Sequence, residues 1–162
     1  MKNYLTLCLV CLAILFSGCP FSSEVAIDAG EAKIDEKILG KWEPKNSSDY
    51  HYIVTKYDDA TYQIVKKPKN ETDAPTTYYG FFSNVGGTRF LNVWDGTNEG
   101  ARTYYFYKAE ITPSGSKLTL SPVTDNIKET FTTSNDLKTF FEKHKSLSFF
   151  YSKDDEEYIR AD

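Results

Sequence analysis

Histidine occurs only twice and methionine once in 162 residues, and the three cysteines fall at positions 8, 11 and 19. His51 and His144 stand alone, in no H-E-x-x-H or similar spacing, so a zinc site would have to be built from carboxylates. Both histidines read as structural, His51 in a strand and His144 at a helix edge. The chain lacks a G-x-S-x-G elbow, which makes Ser114 and Ser116 turn residues. It also lacks G-x-x-x-x-G-K-[ST], so Gly86-Gly87 reads as a loop needing positive φ and not as a phosphate cradle. A basic excess is missing as well: 19 Lys and Arg stand against 23 Asp and Glu, a net charge of −4. That balance excludes a nucleic-acid footprint and an electrostatic grip on anionic lipid. No catalytic residue, metal ligand or cofactor is expected.

Long apolar runs are scarce too. The longest, Tyr4–Phe16, is short of the ~20 residues a membrane-spanning helix needs and has the length of a signal h-region behind Met1-Lys-Asn. Residues 1–18 are therefore expected to be a removable signal. Cys8 and Cys11 leave with it, and Cys19 alone permits no internal disulfide. Pro20 to Glu36 is poor in large apolar residues and rich in turn formers. With Cys19 it is expected to form a flexible tether over 19–36, whose 17-residue coil would span about 20–25 Å. Residues 37–162 then make a single domain, large enough for its own core.

Its pattern is that of strands: short aromatic and β-branched runs parted by turn residues. The runs are Tyr50–Tyr57, Thr61–Lys67, Thr76–Phe82, Thr88–Trp94, Ala101–Ile111 and Lys117–Leu120. Such even spacing predicts a mainly β fold, a small antiparallel up-and-down barrel or sandwich. One helix interrupts it, capped by Ser134 or Asn135, with Leu137, Phe140, Phe141 and His144 along one stripe. Two short strands, Leu147–Tyr151 and Tyr158–Arg160, follow around an acidic turn at 153–157. Asp95, Asn98 and Glu99, like the acidic cluster 154–157, lack the spaced oxygen ligands of a calcium loop and read as solvated turns.

Leu15-Phe16-Ser17-Gly18-Cys19 resembles a bacterial lipobox, with Phe16 in the usual aliphatic place. The resemblance implies cleavage at Gly18–Cys19, a diacylglycerol on the Cys19 thiol and an acylated amine, two or three chains being enough for stable anchoring. With Pro20 and not Asp after the cysteine, the outer membrane is favoured in a cell with two. Ile38–Lys45 (ILGKWEPK) is similar to the G-x-W opening of lipocalins and fatty-acid-binding proteins. There the Gly permits the turn into the first strand and the Trp plugs the closed end, which would be Trp42 here. That family's T-D-Y motif survives only as Thr124-Asp125-Asn126, and the Arg that closes over the Trp would be Arg160. As a whole the chain resembles small lipoproteins of Bacteroidetes-type bacteria, which join a lipobox and tether to such a β-domain; no particular activity is implied.

The clearest positive feature is aromatic content, 12 Tyr, 11 Phe and 2 Trp, or 15%. Aromatics fall on both faces of two runs: Tyr105 and Tyr107 against Tyr104 and Phe106, and Tyr78 and Phe82 against Tyr79 and Phe81. A half-exposed sheet alternates apolar with polar, so the second face is either covered by the helix or free to bind. Two functions follow. A lipid-anchored envelope protein would bind a small apolar or amphipathic ligand in a barrel lined by Trp42, Tyr62, Tyr78, Trp94, Tyr105 and Tyr107. Alternatively, an exposed aromatic face would make it an interaction or inhibitor module for another envelope protein.

Overall fold

The computed structural model describes residues 20–70, 72–97 and 100–161. The signal and Cys19 expectations, and those for Asn98 and Glu99, lie outside the described residues. Nine strands form one sheet: β1 (Ser22–Ser23), β2 (Gly40–Pro44), β3 (Tyr50–Lys56), β4 (Tyr62–Pro68), β5 (Thr76–Val85), β6 (Thr88–Asp95), β7 (Tyr104–Ile111), β8 (Lys117–Pro122) and β9 (Glu156–Ala161). Each of β2 to β9 pairs antiparallel with its chain neighbour, and β9 returns to pair with β2. The result is a closed eight-stranded up-and-down barrel with β1 as an extra strand, the mainly β fold with one late helix that the pattern predicts.

Closure explains why the strands carry aromatics on both faces. Alternate residues point into the barrel: Tyr62, Ile64 and Lys66 on β4, Tyr78 and Phe82 on β5, Tyr105 and Tyr107 on β7. The opposite set of β5, β6 and β7 points outward and is roofed by a second layer. Its core joins Val85, Phe90 and Phe106 of the sheet to Leu137 and Phe141 of helix α1 (Ser134–His144). Phe141 is its hub, with ring centroids 5.0 Å from Phe90, 5.3 Å from Phe106 and 5.1 Å from Phe150.

The ends of this layer differ from the sequence expectation. The helix cap is Thr133, not Ser134 or Asn135. Its hydroxyl accepts from the Asp136 N–H at 3.2 Å and donates to the Asp136 carboxylate at 2.7 Å, a reciprocal arrangement that needs this three-residue spacing. Leu147–Tyr151 is not a strand. Ser148–Phe150 winds into a 3-10 turn that drives Phe150 into the helix cluster, and only Tyr151 makes a bridge, to Val123. The acidic stretch is not wholly turn, because β9 already begins at Glu156.

The larger correction concerns 20–36, expected to be a flexible tether. Phe21, Ala26 and Ile27 are buried, and the segment runs along the outside of the barrel from one end to the other. At one end Ser22 and Ser23 pair with Tyr105 and Tyr104, continuing the edge where β8 stops. At the other end the Ile34 N–H reaches the Asp59 carbonyl of the β3–β4 loop at 3.2 Å. Composition suggests a coil because its apolar residues are few, but those few fill the gap that the helix leaves over β5 to β7. Asn92, wholly buried on β6, pins it there. Its carboxamide oxygen accepts from the Ile27 N–H at 3.0 Å while its amide donates to Ser83 Oγ at 2.9 Å and to the Phe81 carbonyl at 3.3 Å. Asn92→Ala leaves the Ile27 N–H unpaired in a dry site. We expect a loss of about 1–3 kcal/mol in denaturant unfolding, together with new limited-proteolysis cuts between residues 22 and 32.

Candidate functional site

One end of the barrel is sealed. Trp42, 1% exposed, lies across it and donates from Nε1 to the Ile38 carbonyl at 2.8 Å. The Arg160 guanidinium stands 4.6 Å from the Trp42 ring centre and donates to the carbonyls of Leu39 (2.6 Å), Gly115 (2.8 Å) and Lys37. Register brings the pair together, since Trp42 is opposite Arg160 across β2 and β9. Gly40 has φ 121° and a Cβ there would lie 2.7 Å from Arg160 Nη1, so this turn admits only glycine without moving the guanidinium. A second brace uses Asp35. Its N–H donates to the Tyr62 hydroxyl at 2.6 Å, and its carboxylate pairs with Arg89 at 2.9 Å.

Above this floor is a cavity of about 650 Å³ that opens at the opposite end. Small-ligand pockets run to about 300–1,000 Å³. Near the floor the wall is apolar: Ile38, Val54, Phe82, Leu91 and Leu118. Toward the mouth it becomes polar, with Lys66, Asp95, Arg102 and Glu156 among the hydroxyls of Tyr50, Tyr52, Tyr78, Tyr105, Tyr107 and Tyr158.

The phenols here are hydrogen-bond donors. Burial pushes the Tyr52, Tyr107 and Tyr158 hydroxyls well above the ordinary tyrosine range, and the nearby Glu156 carboxylate adds to it. Tyr158 donates to Glu156, whereas the hydroxyls of Tyr78, Tyr105 and Tyr107 have no hydrogen-bond partner among the described residues. No side-chain polar atom is both buried and unpaired among those residues, so these hydroxyls face the open lumen. A raised folded pKa for an acid means that the neutral form is favoured in the barrel. The associated stability is whole below the unfolded tyrosine pKa, ~10, and drains away as pH rises above it. We therefore expect alkaline titration to show a phenolate absorbance step from Tyr52, Tyr107 and Tyr158 that coincides with unfolding followed by circular dichroism.

Of the residues expected to line a pocket, Trp42, Tyr62, Tyr78, Tyr105 and Tyr107 are in this cavity. Tyr62 contributes its ring to the floor, but its hydroxyl is committed to Asp35. Trp94 is not in the lumen. It pairs across the sheet with Tyr79, pointing outward, and stacks on that ring at 5.8 Å with Tyr104 5.6 Å away and Arg102 4.7 Å from its ring centre. Leu91, Val93 and Asp95 are the inward residues of β6. Residues that sequence reasoning missed are Tyr50, Tyr52, Lys66, Asp95, Arg102, Glu156 and Tyr158. The parity of Tyr62 and Ile64 extends to Lys66, and that signal was available; Glu156 was hidden by being read as a turn residue.

His51 is on the outer side of β3, its pKa held down by burial and by Lys41. His144 Nδ1 is 2.7 Å from the Phe140 carbonyl of its own helix. Asp95 serves its turn, accepting from the Thr97 N–H at 2.8 Å and the Thr97 hydroxyl at 2.7 Å. Thr124 follows β8 and donates its N–H to the Phe150 carbonyl, at the mouth end and away from Trp42. No helix among the described residues is long and apolar enough to cross a membrane. No family model matches the chain, and no curated protein or solved structure is similar enough to support a shared family.

Proposed function

We infer that this chain is a lipid-anchored cell-envelope protein whose barrel holds a small amphipathic ligand, without catalysing a reaction on it. The observation that carries the reading is the polarity gradient of the 650 Å³ cavity, apolar over Trp42 and hydroxyl-lined with four charged residues at the mouth. An amphiphile fits that gradient with its tail toward Phe82 and Leu91 and its head among the tyrosine hydroxyls. The Trp42–Arg160 closure supports the likeness to lipocalins and fatty-acid-binding proteins. The outward aromatics favour this reading over an exposed interaction face, because Phe81, Phe90, Trp94 and Phe106 are covered by the N-terminal segment and the helix. Anchoring rests on the lipobox at Cys19, and the outer membrane is favoured by Pro20.

The test is native mass spectrometry of the protein from its own cells, cut from its lipid anchor. We expect a discrete excess mass that denaturation removes. Val93→Trp, which projects an indole into mid-cavity, is expected to lower occupancy at least tenfold while leaving the circular dichroism spectrum unchanged. A bare mass in the unmodified protein would sink the ligand reading and turn attention to a protein partner.

A further inference from the structure

We propose that the barrel docks mouth-first on the bilayer that holds its anchor, so that the ligand passes between cavity and membrane without crossing bulk water. This rests on the anchoring and ligand readings above, and adds the direction of exchange.

Pro20 lines the mouth of the cavity. The next residues hold it there. The Phe21 N–H donates to the Val123 carbonyl at 2.9 Å, and its ring packs 5.7 Å from Phe106, 6.2 Å from Phe131 and 6.4 Å from Phe141. Ser22 and Ser23 then pair with β7 at its mouth end. Cys19 is peptide-bonded to Pro20, and neighbouring Cα atoms are about 3.8 Å apart. The lipid-bearing residue is thus joined to the rim with no intervening chain, in place of the 20–25 Å of free coil that composition suggests. The sealed end is a strand length away, about 25 Å for the eight residues of β7 at about 3.3 Å each. An anchor at residue 19 brings the mouth to the bilayer and keeps Trp42 remote from it.

The rim chemistry agrees. Lys66 Nζ is 4.0 Å from the Tyr50 ring centre and Arg102 is over Trp94, so these cations rest on aromatic faces. Tyrosine suits an interface that is apolar on one side and wet on the other, and the half-buried Tyr50, Tyr78 and Tyr105 supply it at this rim while Trp94 is buried beneath Arg102. Lys66 and Arg102 are balanced by Asp95 and Glu156, so docking is by the anchor and the aromatic rim and should be insensitive to salt.

The experiment uses the full lipidated protein in phosphatidylcholine vesicles containing a headgroup-nitroxide lipid. Single-cysteine variants Thr72→Cys, in the β4–β5 loop at the mouth, and Ser114→Cys, in the β7–β8 loop at the sealed end, carry a fluorophore. We expect quenching at 72 to exceed that at 114 severalfold, with little change in high salt. Inserting about 15 Gly/Ser residues between Cys19 and Pro20, a span of roughly 20–23 Å, should abolish the difference. Equal or reversed quenching with acyl mass present on Cys19 overturns mouth-first docking alone. A difference that survives the insertion overturns the anchor as its cause. Cys19 without acyl mass overturns the docking together with the anchoring reading. Unequal quenching with a ligand-free native mass supports the docking but overturns the ligand exchange together with the ligand reading.

Discussion

Trp42→Ala is expected to lower the unfolding free energy by about 3–5 kcal/mol, the usual range for truncating a buried tryptophan. The upper half of that range is the better expectation, because three losses coincide. The ring is 1% exposed and its removal opens the floor of a cavity that is already large. The Ile38 carbonyl loses its indole donor at 2.8 Å. Arg160 loses the aromatic face that it covers at 4.6 Å, leaving its guanidinium held by carbonyls alone over a void. Equilibrium denaturation in urea checks it, and a change below 1 kcal/mol would mean that Trp42 does not seal the barrel. Trp42→Phe should recover most of the packing but not the indole hydrogen bond, separating the two contributions.

Phe141→Ala should cost about the same, 3–5 kcal/mol, by a different route. Phe141 touches Phe21, Phe90, Phe106 and Phe150, so one truncation loosens the helix, the sheet, the 3-10 turn and the N-terminal segment together. The expected signature is loss of helical circular dichroism before the barrel's own transition, and increased amide exchange in both α1 and residues 21–27. Phe141→Leu, which keeps the volume closer, should cost less. If exchange rises in the helix alone, the N-terminal segment is held chiefly by Asn92 and β1. Trp42 and Phe141 belong to separate clusters on opposite faces of the sheet. Their effects should therefore add, and the sum approaches the whole stability of an ordinary domain, about 5–15 kcal/mol.

The two variants also divide the molecule as its sequence can be divided. The strands are legible from alternation: Tyr105 and Tyr107 against Tyr104 and Phe106 leaves a second aromatic face to be covered or to bind, and short turns between even runs point to an up-and-down barrel or sandwich. Closure by β9 on β2 chooses the barrel. Gly40, Trp42 and Arg160 are legible as a closure only through the resemblance of ILGKWEPK to the lipocalin opening. The helix stripe is equally plain at Leu137 and Phe141, both wholly buried.

Other features depend on register and on long-range contact, which period-two patterning cannot carry. Trp94 and Leu91 are both good lining residues by type, and only the pairing of Leu91 with Phe82 and of Trp94 with Tyr79 decides which enters the lumen. Glu156 becomes a cavity residue because β9 must begin early enough to pair with Leu120. The segment 20–36 is weakly apolar and has no structure of its own to prefer. Asn92, 65 residues away from Ile27, supplies the acceptor that orders it. Local composition thus determined the strands and the helix, whose causes lie within a few residues, whereas the Trp42–Arg160 closure is made by the register of β2 against β9. Tertiary structure alone decided which face each aromatic takes and that Pro20 is held at the cavity mouth, because both follow from contacts between residues distant in the chain.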